Sequence, residues 1–400
     1  MDLKQLRERL RVLTVFRGLL SDPVVEGLCA YLNCRENNKP LAPSMYAEFV
    51  SRLYRTEGGD LAQHILRCVE ADENVYIRAV GRGETPPAYI ARYVDEELKT
   101  LQAVAALTPE DLTAGLLSPC PLPRFGTSSL DLPSLYWKRL NAIGRHGWGI
   151  YARNHMFYLD EGGHIIPVRH PDAIRLADLV DYERERQLIL DNTRALLAGK
   201  TAANVLLTGD AGTGKSSTIK AVVNELWPQG LRIIEVRREQ LRLIPALLDE
   251  LSENPLKFIL FIDDLSFQKG DDSYSALKAV LEGSVSAKSR NVAIYATSNR
   301  RHLVKETFSD REGDDLHRNE TMQEQMSLSE RFGLRVTFQK PDKETYLHIV
   351  AHLAREQGIE LPEEELSAQA ERFALERGGR SARCARQFVD SVTVRPRQMN

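Results

Sequence analysis

The sequence predicts an α/β protein: a five-stranded parallel sheet with a C-terminal helical lid, preceded by an all-helical N-terminal domain and a β-hairpin. Two observations carry this. Between Asn204 and Phe338, five short apolar runs ("NVLLT", "LRIIEV", "KFILFID", "NVAIYAT" and "LRVTF") have helix-forming stretches between most of them, the pattern of strands buried on both faces of a parallel sheet. The first run leads directly into "GDAGTGKSS", a glycine-rich loop that opens the next helix.

Each element can be justified in order. In residues 1–118 apolar positions recur every three or four residues, as in "PLAPSMYAEFVSRLYR" and "PPAYIARYVDEELKTLQAVAAL", which predicts a helical domain. The proline- and serine-rich stretch "SPCPLPRFGTSSLDLPS" then reads as a connection, so a boundary is expected near residue 118 and a linker and hairpin region over 119–175. Within it, "WGIYARNHMFYLDEGGHIIPVRHPD" holds two apolar or aromatic runs around Asp160-Glu161-Gly162-Gly163, a hairpin signal. The α/β domain is expected over 176–340 and the lid over 341–400, the latter from three helical patterns beginning at Asp342, Pro362 and Arg380.

Composition narrows the partners. A formal net charge of −3 over 400 residues gives no bulk attraction to nucleic acid or to an anionic membrane, though a local basic face stays open. The five cysteines (Cys29, Cys34, Cys68, Cys120, Cys384) are scattered, with no C-x-x-C pair, which argues against a tetrahedral metal site and for a reducing compartment. No uncharged apolar run approaches the roughly 18–20 residues that span a bilayer. The charged N-terminus "MDLKQLRERLRVLTVFRGLL" reads as an amphipathic helix and not as a secretion signal, so a cytoplasmic protein is expected.

The loop carries the chemistry. Gly209, Gly214, Lys215 and Ser216 complete G-x-x-x-x-G-K-S, with a strand before and a helix after. Bare backbone from Gly209 through Asp210, Ala211, Gly212, Thr213 and Gly214 to Ser217 suits N–H groups wrapped around phosphate oxygens at a helix N-terminus. Lys215 then reaches the β and γ phosphates of ATP, and Ser216 ligates Mg2+. Asp263, at the carboxyl end of "KFILFID", supplies the second magnesium anchor, where ligands sit in open α/β sheets. Asp264 follows where a glutamate would be the usual water-orienting acid, one methylene shorter and so drawn back by about 1.5 Å.

These motifs resemble the AAA+ ATPases, over about Leu176 to Val389. The resemblance implies a sensor polar residue in "NVAIYATSNRR" (Asn299, with Ser298 as the neighbouring alternative) and an arginine finger in "LSERFG" (Arg331), offered to a neighbouring subunit. It also implies a lid arginine in "GGRSARCARQF": Arg383, with Arg380 and Arg386 as competitors. Together with Asp264 these make up the catalytic set. Closer still is the resemblance to a bacterial family of predicted AAA+ ATPases known as domain of unknown function 815, in "NVLLTGDAGTGKSS", "FILFIDDLSF" and "LSERFGLRVTF". What it implies is an ATPase whose protein client is unknown; a finger supplied in trans implies a homo-oligomer with the site between subunits, and the short Asp264 a slow rate. Nucleic acid remains open as a partner: paired aspartates also occur in the initiator and helicase-loader branch, and Arg300 and Arg301 follow the sensor. The charge-dense "SDREGDDLHRNETMQEQ" between sensor and finger reads as a mobile loop.

Overall fold

The structure, a computed structural model, describes residues 2–37, 39–266, 272–282, 290–299 and 328–394. Arg300, Arg301 and the charge-dense stretch after them lie outside the described residues. Contacts divide the chain into two compact units, Met1–Arg153 and Asn154–Asn400.

The described elements of the first unit are helical. Helices Ala42–Tyr54 and Ala88–Ala105 fall where the apolar spacing predicts them, and each buries one face: Tyr46, Phe49, Val50 and Leu53 on the first, Val94, Leu98, Leu101 and Val104 on the second. Each fully buried aromatic or leucine there contributes roughly 1.5–3 kcal/mol. The stretch after residue 118 differs from the expected linker. Phe125, Leu132, Tyr136, Leu140, Ile143 and Trp148 all belong to this helical core, and Phe125 meets Phe49 edge-on at 5.7 Å. The prolines bend that segment, but its apolar side chains hold it to the domain.

Two polar clusters, one around the buried Glu97 and one half-buried, also lie there. Glu97 accepts the backbone N–H groups of Thr14, Val15 and Phe16, at 2.7, 3.2 and 2.9 Å, which ties the backbone leading into the turn at Arg17–Ser21 to the helix Ala88–Ala105. Asp22, His64 and Cys68 come together as well, the one group of three or more side chains of metal-binding type found among the described residues. Their oxygen and nitrogen already have partners: Asp22 Oδ1 accepts from Val24 and Val25 N–H at the helix start and lies 2.8 Å from His64 Nε2.

In the second unit a seven-stranded sheet runs in the order β2-β1-β4-β5-β6-β3-β7. The strands are β1 (Met156–Leu159), β2 (Ile165–Pro167), β3 (Val205–Gly209), β4 (Leu231–Glu235), β5 (Lys257–Ile262), β6 (Val292–Ser298) and β7 (Leu334–Phe338). The five expected strands are all parallel to their neighbours. The sheet is wider than expected because the hairpin joins it: β1 pairs parallel with β4 and antiparallel with β2. In the paired sheet Met156 is buried on one face and Phe157 and Leu159 on the other, which is why an apolar hairpin does not stand alone in water.

Strand order positions the site. Because β5, β6 and β3 are consecutive in space, the residues just past their carboxyl ends (Asp263, Asn299 and the glycine-rich loop) emerge side by side. The helices Lys343–Glu356, Glu363–Glu376 and Ala382–Val394 form the lid, with their own core of Tyr346, Ile349, Val350, Leu366, Ala370 and Phe388.

Candidate nucleotide site

Between β3 and the helix Lys215–Leu226 the chain must turn tightly without side chains in the way. Gly209 has a φ of 138°, and a Cβ there would lie 1.9 Å from the Phe338 carbonyl oxygen of β7. At Gly212, with a φ of 78°, a Cβ would come within 2.9 Å of Arg383 Cβ in the lid. These two positions admit only glycine, and the backbone they leave bare is the cradle an anion needs.

Lys215 is buried and donates from Nζ to the carbonyl oxygens of Gly209 and Asp210, at 2.9 and 2.8 Å, and to Asn299 Oδ1 at 2.9 Å. Burial pushes its ammonium below the usual lysine pKa, and the carboxylates of Asp210, Asp263 and Asp264 work against that shift. The side chain is therefore charged, desolvated and aimed along the loop. Ser216 Oγ donates to Asp263 Oδ1 at 2.6 Å. A hydroxyl and a carboxylate at that spacing are hard oxygen donors of the kind Mg2+ takes, and among the described residues no cysteine or histidine lines the cleft beside the pair. The residues present fit a magnesium–nucleotide complex.

Asp264 is in the left-handed region, with a φ of 52°. Its N–H donates to Thr297 Oγ1 at 2.9 Å and to Asp263 Oδ1 at 3.1 Å, and its carboxylate accepts from Asn299 Nδ2 at 2.8 Å. Asn299 thus bridges Lys215 and Asp264, whereas its neighbour Ser298 is fully buried in the strand. A cleft of about 550 Å³ opens over these groups, walled by residues 212–218, both aspartates, Asn299 and the lid residues Ile349, Leu353, Arg383 and Arg386.

The expected arginines separate. Arg383 lines the cleft, and its N–H donates to Gly212 O at 3.1 Å, fastening lid to loop. Arg386 lines the cleft beside it, whereas Arg380 makes two 2.8 Å hydrogen bonds to Glu371 inside the lid. Arg331 is not part of the cleft wall; its guanidinium is paired with Glu282 at the end of the helix Asp272–Glu282.

Three contributors were invisible in the sequence. Thr297 is buried and bonds both aspartates. Asp181 and Tyr182 precede the helix Glu183–Leu197 with φ of 59° and 61°; with Asp264 they are the non-glycine residues of positive φ among those described, and all three line the cleft. Backbone strain of this kind gathers at functional sites. Tyr182 is fixed by a 2.6 Å hydrogen bond to Gln339 O, and burial raises its phenol to about 12. Asp181 faces His348 of the lid, 3.3 Å away. An aspartate–tyrosine pair before a helix carries no sequence signal for left-handed backbone.

Among known proteins, no curated protein is matched. Solved chains that are similar include the Thermotoga maritima RuvB Holliday junction branch migration motor, at 18% identity over 55% of this chain and 64% of that one, with a TM-score of 0.36. Another is C. elegans PCH-2, at 16% identity over 56% of this chain and 65% of that one, with a TM-score of 0.38. This chain therefore spans less than two thirds of either solved chain. Residues 152–395, more than half of the sequence, match the family described as protein of unknown function DUF815, and the chain belongs to that family.

Proposed function

We propose that this chain is an AAA+ protein that binds ATP with magnesium, hydrolyses it slowly, and works as a homo-oligomer to remodel a protein or protein–nucleic-acid client. One observation carries the reading: loop lysine, Ser216–Asp263 pair, Asp264, Asn299 and Arg383 converge on one cleft. Phosphoryl transfer asks a protein mainly for positioning and charge neutralisation. Loop N–H groups and Lys215 hold the phosphates. Ser216 and Asp263 would hold magnesium, which would supply positive charge to offset that of the phosphates. Asp264 orients the attacking water and Asn299 steadies Asp264. Arg383 reaches the phosphates from the lid, and Arg331 serves a neighbouring subunit's site. In the full-length protein, Lys215→Ala is expected to lose ATP binding and Asp264→Asn to keep binding while losing turnover. Should Asp264→Asn hydrolyse ATP at the wild-type rate, water orientation belongs to another residue.

A second reading, a nucleotide-controlled assembly switch with little turnover, draws support from the pairing of Arg331 with Glu282 in its own chain. Tight ATP binding with near-zero turnover at every protein concentration would favour it.

A further inference from the structure

Asp264 poses a chemical problem: its carboxylate is one methylene short of the usual acid, and a misplacement of about 1 Å costs on the order of a hundredfold in rate. The structure offers a solution in the backbone. We infer that Thr297 is a positioning residue that fixes the left-handed turn at Asp264, and that this turn, not side-chain length, delivers the short carboxylate to the reacting end of the cleft.

Three bonds from one residue hold the turn. Thr297 Oγ1 accepts the Asp264 N–H at 2.9 Å and donates to Asp263 Oδ1, while Thr297 O accepts the Leu265 N–H at 2.7 Å. Thr297 itself cannot drift, being buried within β6, whose partner strands are β5 and β3. The polypeptide from Asp263 to Leu265 is therefore clamped, with Asp264 between at a φ of 52°. In that conformation the Cβ leaves the backbone in a direction an extended strand end does not allow, and the carboxylate ends 2.8 Å from Nδ2 of Asn299, whose Oδ1 accepts from Lys215. Left-handed backbone also selects the residue: aspartate and asparagine tolerate it several-fold better than longer side chains. The short acid and the turn thus belong together, and a glutamate on this turn would reach past Asn299.

The inference rests on the ATPase reading, and the test separates the two. Steady-state turnover of the full chain is measured at saturating magnesium, so that any weakening of the Asp263 site does not limit the rate, with melting temperature followed in parallel. Thr297→Val removes the hydroxyl and keeps the shape. It is expected to lower kcat about tenfold or more with KM for ATP little changed, and Thr297→Ser, which restores the hydroxyl, to recover most of the loss. Asp264→Glu is expected to be slower than wild type. Wild-type kcat in Thr297→Val, or a rate at or above wild type in Asp264→Glu, overturns the inference while leaving the ATPase reading intact. No turnover by wild type at any concentration overturns the ATPase reading and takes this inference with it.

Discussion

The ion pair between Arg331 and Glu282 leads to a prediction whose sign is opposite to that of most active-site changes. If Arg331 acts on a neighbour's phosphate, it must first leave Glu282, so the pair competes with catalysis. Its strength can be bounded. The two side chains are 26% and 39% exposed, an environment in which such pairs are worth at most about 1 kcal/mol. Breaking it in advance by Glu282→Ala therefore raises the population of Arg331 not held by this pair by a factor of up to about five. The expected result is a kcat increase of up to about fivefold, seen in turnover measured across protein concentration, with ATP affinity unchanged. The increase should shrink as salt screens the pair in the wild type. A Glu282→Ala protein that melts normally yet turns over at or below the wild-type rate would refute the idea that the pair restrains the finger, and Arg331→Ala must be slow in the same assay.

Two further outcomes can be checked directly. Burial, opposed by the Asn74 hydrogen bond and reinforced by Glu97 and Glu73, raises the Asp72 carboxyl to about 6 from an ordinary value of 3.8. A carboxyl raised on folding binds more protons in the folded state, so its stability contribution is present at about pH 4 and lost as pH rises through 6. Asp72→Asn should then stabilise the helical unit by on the order of 2 kcal/mol at pH 7 and by little at pH 4, read by denaturant unfolding at the two pH values. For the lid arginines, Arg383→Ala should depress turnover on the order of a hundredfold, whereas Arg380→Ala, which breaks only the Glu371 pair, should cost at most about 1 kcal/mol in lid stability and leave ATP affinity unchanged in a titration.

What the sequence makes legible is local. The glycine-rich loop declares itself because strand, turn and helix are contiguous in the chain, and Asp263 because it ends an apolar run. The boundary near residue 118 misleads for a physical reason: Pro119, Pro121 and Pro123 mark an irregular backbone, but only tertiary packing decides that Phe125 and Leu132 lie against the helical core. The hairpin is readable as a hairpin, while its parallel pairing with β4 depends on residues far away in the chain. Thr297 belongs to the same class, since its bonds to both aspartates exist only once β6 lies beside β5. Sorting Arg380, Arg383 and Arg386 likewise requires three dimensions, because all three fall on one short stretch; the Glu371 pair sets Arg380 apart, while Arg383 and Arg386 both line the cleft.

The hairpin has a consequence for how copies of this chain can meet. An uncovered β4 would present a row of open N–H and C=O groups, a template for recruiting a stray strand. Instead β1 saturates that row, and the margin left outside is β2, three residues long and closed by Pro167, which has no N–H to offer. Growth of the sheet from molecule to molecule is thereby discouraged on that flank. On the proposed reading, copies that meet on this flank do so through side-chain surfaces and not through backbone adhesion.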